Sequence, residues 1–269
     1  MTKNVGIFLL LLSASNIIAD SFQNPCVGYF KKDDPQLHNL KWGNWGSRPY
    51  EYKWVSEAVS VRDKKVLDLG IGLPSEYNWY KYVVDTLKPS YYVGIDIDGR
   101  MVKEVEKQVN YEVLHMDMSD LKFDDKIFDV AYCISTYEHM EFETFMKAMQ
   151  ETHRVLKDNG ILVLTLDEEW DVNQPFTHDN GWNILEQSLV KKGVFNRNKN
   201  SFGLPMFLTL IKDLFIPVDD NVSVDLDKNE VKSKDGEQVY YKKINKNAEM
   251  LNSGLFYNSC VSFAILKKI

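Results

Sequence analysis

The chain has 269 residues, which is enough for one large domain or two small ones. Its 44% hydrophobic and 26% charged residues are close to the ordinary globular mixture and exclude collagen, a long coiled coil and wholesale disorder. With 39 acidic against 32 basic side chains there is no general basic surface for a nucleic-acid partner, and three widely spaced cysteines exclude a disulfide scaffold.

The first 19 residues have the form of a signal peptide: a short basic start, an apolar run over residues 5–12 and the small residue Ala19. This apolar run is about half of the ~20 residues that a membrane-crossing helix requires, so no transmembrane helix is predicted. The alternative is an amphipathic or core-docked N-terminal helix. Any membrane association is expected through residues 5–19.

Residues 20–50 are predicted to form a loop, because prolines and glycines interrupt them throughout. Trp42, Trp45 and Tyr50 lie close together in this stretch. These rings are expected either to bind a ligand or to pack as a lid over the edge of the following domain.

From residue 51 to the end, the pattern predicts a single domain. Helices are predicted over 51–60, 76–87, 99–109 and 141–156, and strands over 65–69, 91–96, 111–115, 128–134 and 161–166. Strands that alternate with helices predict an α/β fold with a parallel sheet covered on both faces. A hairpin is predicted over 230–241 and a last, alternating strand over 257–266.

Acidic and small polar residues follow each of the predicted parallel strands. They are residues 68–72, Asp96, Asp117, residues 135–139 and residues 167–169. In doubly wound sheets, ligands bind outside the carboxyl ends of the strands, so these residues are the candidate site.

The turn after the first parallel strand contains Gly70 and Gly72, which allow a sharp turn and close approach of a ligand. A dinucleotide fold requires a third glycine and a helix N-terminus free for pyrophosphate, but here Glu76 follows and would repel an anion. A nicotinamide oxidoreductase is therefore disfavoured. Asp96, at the end of the second strand, is placed to accept hydrogen bonds from both hydroxyls of a ribose.

Five motifs resemble the class I S-adenosylmethionine-dependent methyltransferases, especially the type 11 group. They are residues 66–72 (VLDLGIG), 94–98 (GIDID), 115–118 (HMDM), 128–139 (FDVAYCISTYEH) and 153–164 (HRVLKDNGILVL). The resemblance covers about residues 50–190 and resumes at the last strand. It implies a Rossmann-like, doubly wound, mostly parallel seven-stranded sheet with an antiparallel C-terminal strand, and S-adenosyl-L-methionine as the cofactor.

The same resemblance assigns roles to individual residues. It implies that the turn from Asp68 through Gly70 to Gly72 cradles the methionine moiety and that Asp96 binds the ribose. Asp117 would hydrogen-bond the adenine amino group with Met118 beside it, and Ser135 would line the methyl-donor side. Leu73 stands where the family usually has a further glycine.

Methyl transfer from a sulfonium requires alignment more than it requires a base. If the acceptor is a hydroxyl, a base must take its proton, and the ordered candidates are Glu138, His139 and Asp167. His139 has the alternative role of a helix N-terminal residue bonded to backbone. No metal site is predicted, and Arg48 is a further candidate partner for the cofactor's carboxylate.

The predicted function is methyl transfer from S-adenosylmethionine to a small-molecule acceptor, with the specificity region over about 195–250. The supply of this cofactor favours the cytoplasm, whereas a functional signal over residues 1–19 favours a secretory or membrane-associated location. The alternative function is a non-catalytic secreted or membrane-associated binding protein that keeps the methyltransferase fold.

Overall fold

The computed structural model describes residues 27–29, 48–72, 79–106, 111–169, 184–194, 203–228, 230–242 and 259–269. The signal-like segment 1–19, the rings of Trp42 and Trp45, and Glu76 lie outside these ranges. Among the helices within them, none combines the length and the apolarity that crossing a bilayer requires.

Eleven strands lie in these ranges. They are β1 (Val27–Tyr29), β2 (Lys65–Leu69), β3 (Tyr91–Asp96), β4 (Glu112–His115), β5 (Phe128–Ile134), β6 (Leu156–Glu169), β7 (Phe215–Pro217), β8 (Val222–Asp225), β9 (Glu230–Ser233), β10 (Val239–Lys242) and β11 (Ser259–Lys268). The main sheet has the order β1-β11-β6-β5-β2-β3-β4, with β7 also paired to β11. The remaining three strands form a second sheet in the order β10-β9-β8.

The core of the main sheet is parallel: β2 pairs with β3 and β5, β3 with β4, and β5 with β6. The last strand, β11, pairs antiparallel with β6. Strands β2 and β5 are buried almost along their whole length, which explains their continuous apolar runs, because both faces of a parallel sheet are covered. The predicted fold class is confirmed, and the short β1 and β7 add antiparallel pairs to β11.

The first four of the helices described lie close to their predicted positions, and the last two lie where no helix was predicted. They are α1 (Arg48–Ala58), α2 (Trp79–Tyr82) continuing as a π-helix (Val83–Leu87), α3 (Gly99–Glu106), α4 (Phe142–Val155), α5 (Ile184–Lys191) and α6 (Leu204–Ile211). Residues 157–160, between the predicted helix 141–156 and the predicted strand 161–166, lie within β6. Asn159 is left-handed at φ 61°, and the pairing with β5 jumps from Leu156 to Ile161. Strand β6 therefore begins five residues earlier than the apolar pattern indicates.

The second sheet contains the predicted hairpin. Strands β9 and β10 pair antiparallel, and Gly236 in the turn between them has φ 77°. Only glycine adopts this conformation without strain, so the Asp-Gly pair correctly indicated the turn. Strand β8 completes the sheet on the other side of β9.

The chain reverses its direction across the sheet beside β2. From β2 it adds β3 and β4 on one side, and then crosses to add β5 and β6 on the other. This arrangement brings the carboxyl ends of β2, β3 and β5 to one place, where ligands bind in folds of this class.

Candidate functional site

The turn after β2 is held tightly against β3 and the end of β5. Gly70 and Gly72 have φ 75° and 66°, and the amides of Gly70 and Ile71 both donate to the carbonyl of Ile95, at 2.9 and 3.1 Å. A Cβ atom on Gly70 would lie 2.6 Å from the Thr136 side chain, whereas one on Gly72 would meet no atom within 4 Å among the described residues. The α-carbon of Gly70 is therefore packed against Thr136, whereas none of the described residues fills the space beside the α-carbon of Gly72.

Asp96 joins the first two strand ends. One carboxylate oxygen accepts the amide of Gly72 at 3.1 Å, and the other accepts the amide of Asp98 at 2.8 Å. The residue is 9% exposed, so it lies at the boundary between the core and the site. The structure thus brings Asp96 and the glycine turn together, as predicted for residues that bind one ligand.

The loop after β4 lies directly beside Asp96. The amide of Met116 donates to the Asp96 carbonyl at 3.0 Å, and the ring of His115 bonds the carbonyl of Ile97 at 2.9 Å. Asp117 accepts the amide of Ser119 at 2.8 Å, and Met118 is buried. Asp117 and Met118 are therefore the next two residues of the loop that Met116 attaches to Asp96.

Asp68 lies deeper than the other candidate acids. It is buried, and one carboxylate oxygen accepts the Trp79 indole N–H at 3.0 Å and the Tyr92 hydroxyl at 2.8 Å. Burial raises the pKa of Asp68 to about 6, and the hydrogen bonds from Tyr92 and Trp79 oppose this rise. Its carboxylate thus connects β2 to Trp79 of α2 and to Tyr92 of β3.

Ser135 follows β5 in a left-handed conformation, at φ 44°. Its amide donates to the carbonyl and the hydroxyl of Thr165, both at 3.1 Å, and its own hydroxyl donates to Glu51 at 2.7 Å. The Thr165 hydroxyl donates to the same Glu51 oxygen. Ser135 lies at the predicted strand end, but its hydroxyl is engaged within the protein.

Sequence reasoning missed Glu51, which is fully buried in α1. A signal was present, because Glu51, Trp54, Val55 and Ala58 share the spacing of one helix face. An acid on an otherwise apolar face requires buried partners. Arg48, predicted to meet the cofactor's carboxylate, bonds both oxygens of Glu51, at 2.8 and 2.9 Å.

The three candidate bases have different environments. Glu138 and His139 share a 3-10 turn (Tyr137–His139), in which Glu138 is buried and His139 is exposed. The backbone of Asp167 pairs with Val261 in β11, and its side chain lies outside what is described. In the described ranges, no group of three or more His, Cys, Asp or Glu side chains is placed to hold a metal ion.

The sequence model of a family described as "Methyltransferase domain" matches residues 67–164, the segment that contains the glycine turn, Asp96, Asp117 and Ser135. This segment is a methyltransferase domain. The match supports the class I S-adenosylmethionine-dependent type that the five motifs resemble, and with it S-adenosylmethionine as the cofactor.

Two uncharacterized proteins of Methanocaldococcus jannaschii are similar in sequence to the chain. One is 27% identical over 138 residues, covering 50% of this chain and 47% of that protein. The other is 31% identical over 109 residues, covering 40% and 38%. The similarity spans less than half the length of these relatives.

Solved structures share the fold of the methyltransferase domain. An S-adenosylmethionine dependent methyltransferase from Mesorhizobium loti has a TM-score of 0.50 and 16% identity, over 82% of this chain and 98% of its own. A Listeria monocytogenes protein has a TM-score of 0.51 and 14% identity, over 81% and 98%. At these identities the likeness supports the fold alone.

Proposed function

We propose that this domain transfers the methyl group of S-adenosylmethionine to a small-molecule acceptor by in-line displacement. The observation that carries the proposal is the junction of the glycine turn with Asp96. The Gly72 amide donates to the Asp96 carboxylate, and within the described ranges no atom fills the space beside the Gly72 α-carbon. A backbone turn that a ligand approaches, next to a carboxylate at the neighbouring strand end, fits a nucleoside with an amino-acid side arm.

Each of the three parts of the cofactor, the ribose, the adenine and the methionine, has its own residues in this proposal. Asp96 accepts hydrogen bonds from the ribose hydroxyls, because each of its oxygens keeps a second lone-pair direction besides the backbone bond it already accepts. Asp117 and Met118 contact the adenine. The backbone of Gly70 and Gly72 contacts the methionine part.

The reaction itself requires little from the protein beyond alignment. The bound cofactor supplies an activated methyl group on a sulfonium whose leaving group is an uncharged thioether. The turn that begins at Ser135 forms the donor side of the site, and its rigid attachment to β6 orients and desolvates the reacting groups. Should the acceptor be a hydroxyl, Glu138 is the first candidate to take its proton, followed by His139 and Asp167.

A small acceptor is favoured by the charge of the chain. Its formal net charge of -7 opposes binding to a polyanionic acceptor such as a nucleic acid. The domain is proposed to extend over 51–269, with acceptor specificity in about 195–250. In the described part of that region, α6 contacts both β8 and β9.

The first test is calorimetric titration of S-adenosylmethionine and S-adenosylhomocysteine into the wild-type chain and Asp96→Ala. Loss of the two proposed ribose bonds is expected to weaken binding at least about tenfold. Asp98→Asn is the matched control, since that nearby carboxylate pairs with Arg100 on the surface and only its backbone amide meets Asp96. Equal affinity of wild type and Asp96→Ala would remove Asp96 from the site.

Turnover is tested separately, by following the release of S-adenosylhomocysteine with pools of small hydroxyl, amine and thiol acceptors, and with peptide and transfer RNA pools. Release with a small-molecule pool supports the proposal. Binding of the cofactor without release in any pool would favour the non-catalytic binding protein, and release only with peptide or RNA would overturn the acceptor class.

A further inference from the structure

Glu51 is a buried carboxylate that no part of the proposed reaction uses. Its side chain has no exposed surface, and it accepts hydrogen bonds from Arg48, Ser135 and Thr165. Bonds to a carboxylate are stronger than neutral ones, and the low dielectric of the interior strengthens them further. The four side chains therefore form a rigid cluster.

The cluster connects parts of the chain that are far apart in sequence. Glu51 lies in the first turn of α1, Ser135 directly follows β5, and Thr165 lies in β6. Ser135 also holds a left-handed backbone at φ 44°, which is costly for a residue with a side chain. Its bonds to Thr165 and Glu51 hold that conformation, and with it the start of the turn that carries Glu138.

The next residue of α1, Tyr52, is linked to the strand that precedes the glycine turn. Tyr52 stacks on Trp79 with ring centroids 5.0 Å apart, and the indole N–H of Trp79 bonds Asp68 in β2. Consecutive residues of α1 thus bond Ser135 after β5 directly and are linked to β2 through Trp79. Strands β2 and β5 are paired neighbours in the sheet, and the carboxyl ends of both lie at the candidate site.

Stability alone does not account for a carboxylate at this position. A buried ion pair stabilises a fold no better, in many proteins, than apolar side chains of the same volume. The carboxylate instead fixes a geometry, because the directions in which its oxygens accept hydrogen bonds determine where the hydroxyls of Ser135 and Thr165 lie.

We propose that Glu51 is a positioning residue for the methyl-donor side of the site, which it shapes by holding Ser135 and Thr165. This inference rests on the proposed function. Glu51 does not contact the cofactor; it sets the conformation of the turn that does.

The test compares Glu51→Gln with wild type in three measurements on the full chain: S-adenosylhomocysteine binding by calorimetry, unfolding in urea, and hydrogen exchange of residues 134–139 without ligand. Glutamine keeps the shape but loses the charge and one acceptor oxygen. We expect about tenfold weaker binding and faster exchange of the turn. Glu57→Gln is the matched control, because Glu57 pairs with Lys53 on the exposed side of the same helix, and it should match wild type.

Should Glu51→Gln not fold, Thr165→Val and Thr165→Ser take its place. Valine has the shape of threonine without the hydroxyl, so weaker binding is expected in Thr165→Val and near-normal binding in Thr165→Ser. If the wild type binds S-adenosylhomocysteine and Glu51→Gln binds it with the same affinity, even at reduced stability, this inference alone is overturned. Absence of binding by the wild type to either cofactor form would overturn the proposed function with it.

Discussion

At the scale of single residues, the buried acids Glu51 of α1 and Asp68 of β2 have opposite surroundings. Glu51 has a cationic partner in Arg48. Asp68 is bonded by the neutral groups of Trp79 and Tyr92, and the nearby hydroxyl of Tyr132 is buried without a hydrogen-bond partner in the described part of the chain. Burial without a nearby cation disfavours the charged form of Asp68, and the charge of Asp68 adds to burial in raising the pKa of Tyr132.

The pH dependence of stability should report the state of Asp68. Its pKa is about 6 in the folded chain against 3.8 ordinarily, so between these values the folded state binds the extra proton. Folding is therefore favoured below pH 4, and the contribution of this group falls by on the order of 3 kcal/mol as the pH rises through 6. An asparagine side chain cannot titrate. The free energy of unfolding of Asp68→Asn should therefore rise relative to that of the wild type as the pH increases from 4 to 6, and the difference should persist above pH 6.

Urea unfolding at pH 4, 5, 6 and 7.5 measures this difference. Asp98→Asn is the control, because hydrogen bonds from Arg100 lower the pKa of the partly exposed Asp98 carboxyl to about 2, outside the interval. The free energy of unfolding of Asp98→Asn should change with pH in the same way as that of the wild type between pH 5 and 7. A parallel profile for Asp68→Asn as well would show that Asp68 titrates normally.

At the scale of elements, the segment after the glycine turn ends in an unusual way. The π-helix (Val83–Leu87) closes at Lys88, whose φ is 56° and whose amide donates to the Val83 carbonyl at 3.0 Å. A left-handed C-terminal residue is common in helices, but it is usually glycine. The lysine side chain is exposed, and it makes no hydrogen bond or ion pair with the residues that the structure describes.

Lys88→Gly is expected to stabilise the chain. Removal of the left-handed strain should raise the free energy of unfolding by about 1–2 kcal/mol. The greater freedom of glycine in the unfolded chain should lower it by about 0.5–1 kcal/mol. The net gain of about 0.5–1 kcal/mol is measurable as a higher midpoint of urea unfolding. Lys88→Ala keeps the strain and should show no gain; an equal gain in both variants would point to the lysine charge instead.

At the scale of the whole molecule, β11 holds distant segments together. It pairs with β6 along nine consecutive positions, with β1 from the other end of the chain, and with β7. Ala264 is fully buried and has Leu164 on one side and Val27 on the other. The sheet is therefore completed only after the last strand is in place, and contacts of such sequence separation slow folding.

Ala264→Pro tests this dependence. Proline removes a donor from a strand paired on both sides, and the expected loss is at least about 3 kcal/mol, with low soluble yield. Ala264→Gly keeps the donor and should lose only about 0.5–1 kcal/mol through backbone entropy. Normal unfolding of the proline variant would mean that β11 is not essential to the sheet.

The sequence by itself determined the order of the parallel strands along the chain, the glycine turn and the acids at the strand ends. These are local signals, because a strand buried on both faces is a continuous apolar run and a left-handed turn favours glycine. The family resemblance in the same motifs agrees with the domain match over residues 67–164.

Only the tertiary structure decided which of these residues meet. Nothing in the periodicity of α1 shows that Glu51 bonds Thr165, 114 residues away, or that the hydroxyl of Ser135 is engaged inside the protein. Similarly, the bonds from Trp79 and Tyr92 that hold Asp68 in the core come from two other elements. Periodicity reports which face of an element is buried, whereas the partner on that face depends on how the whole sheet is assembled.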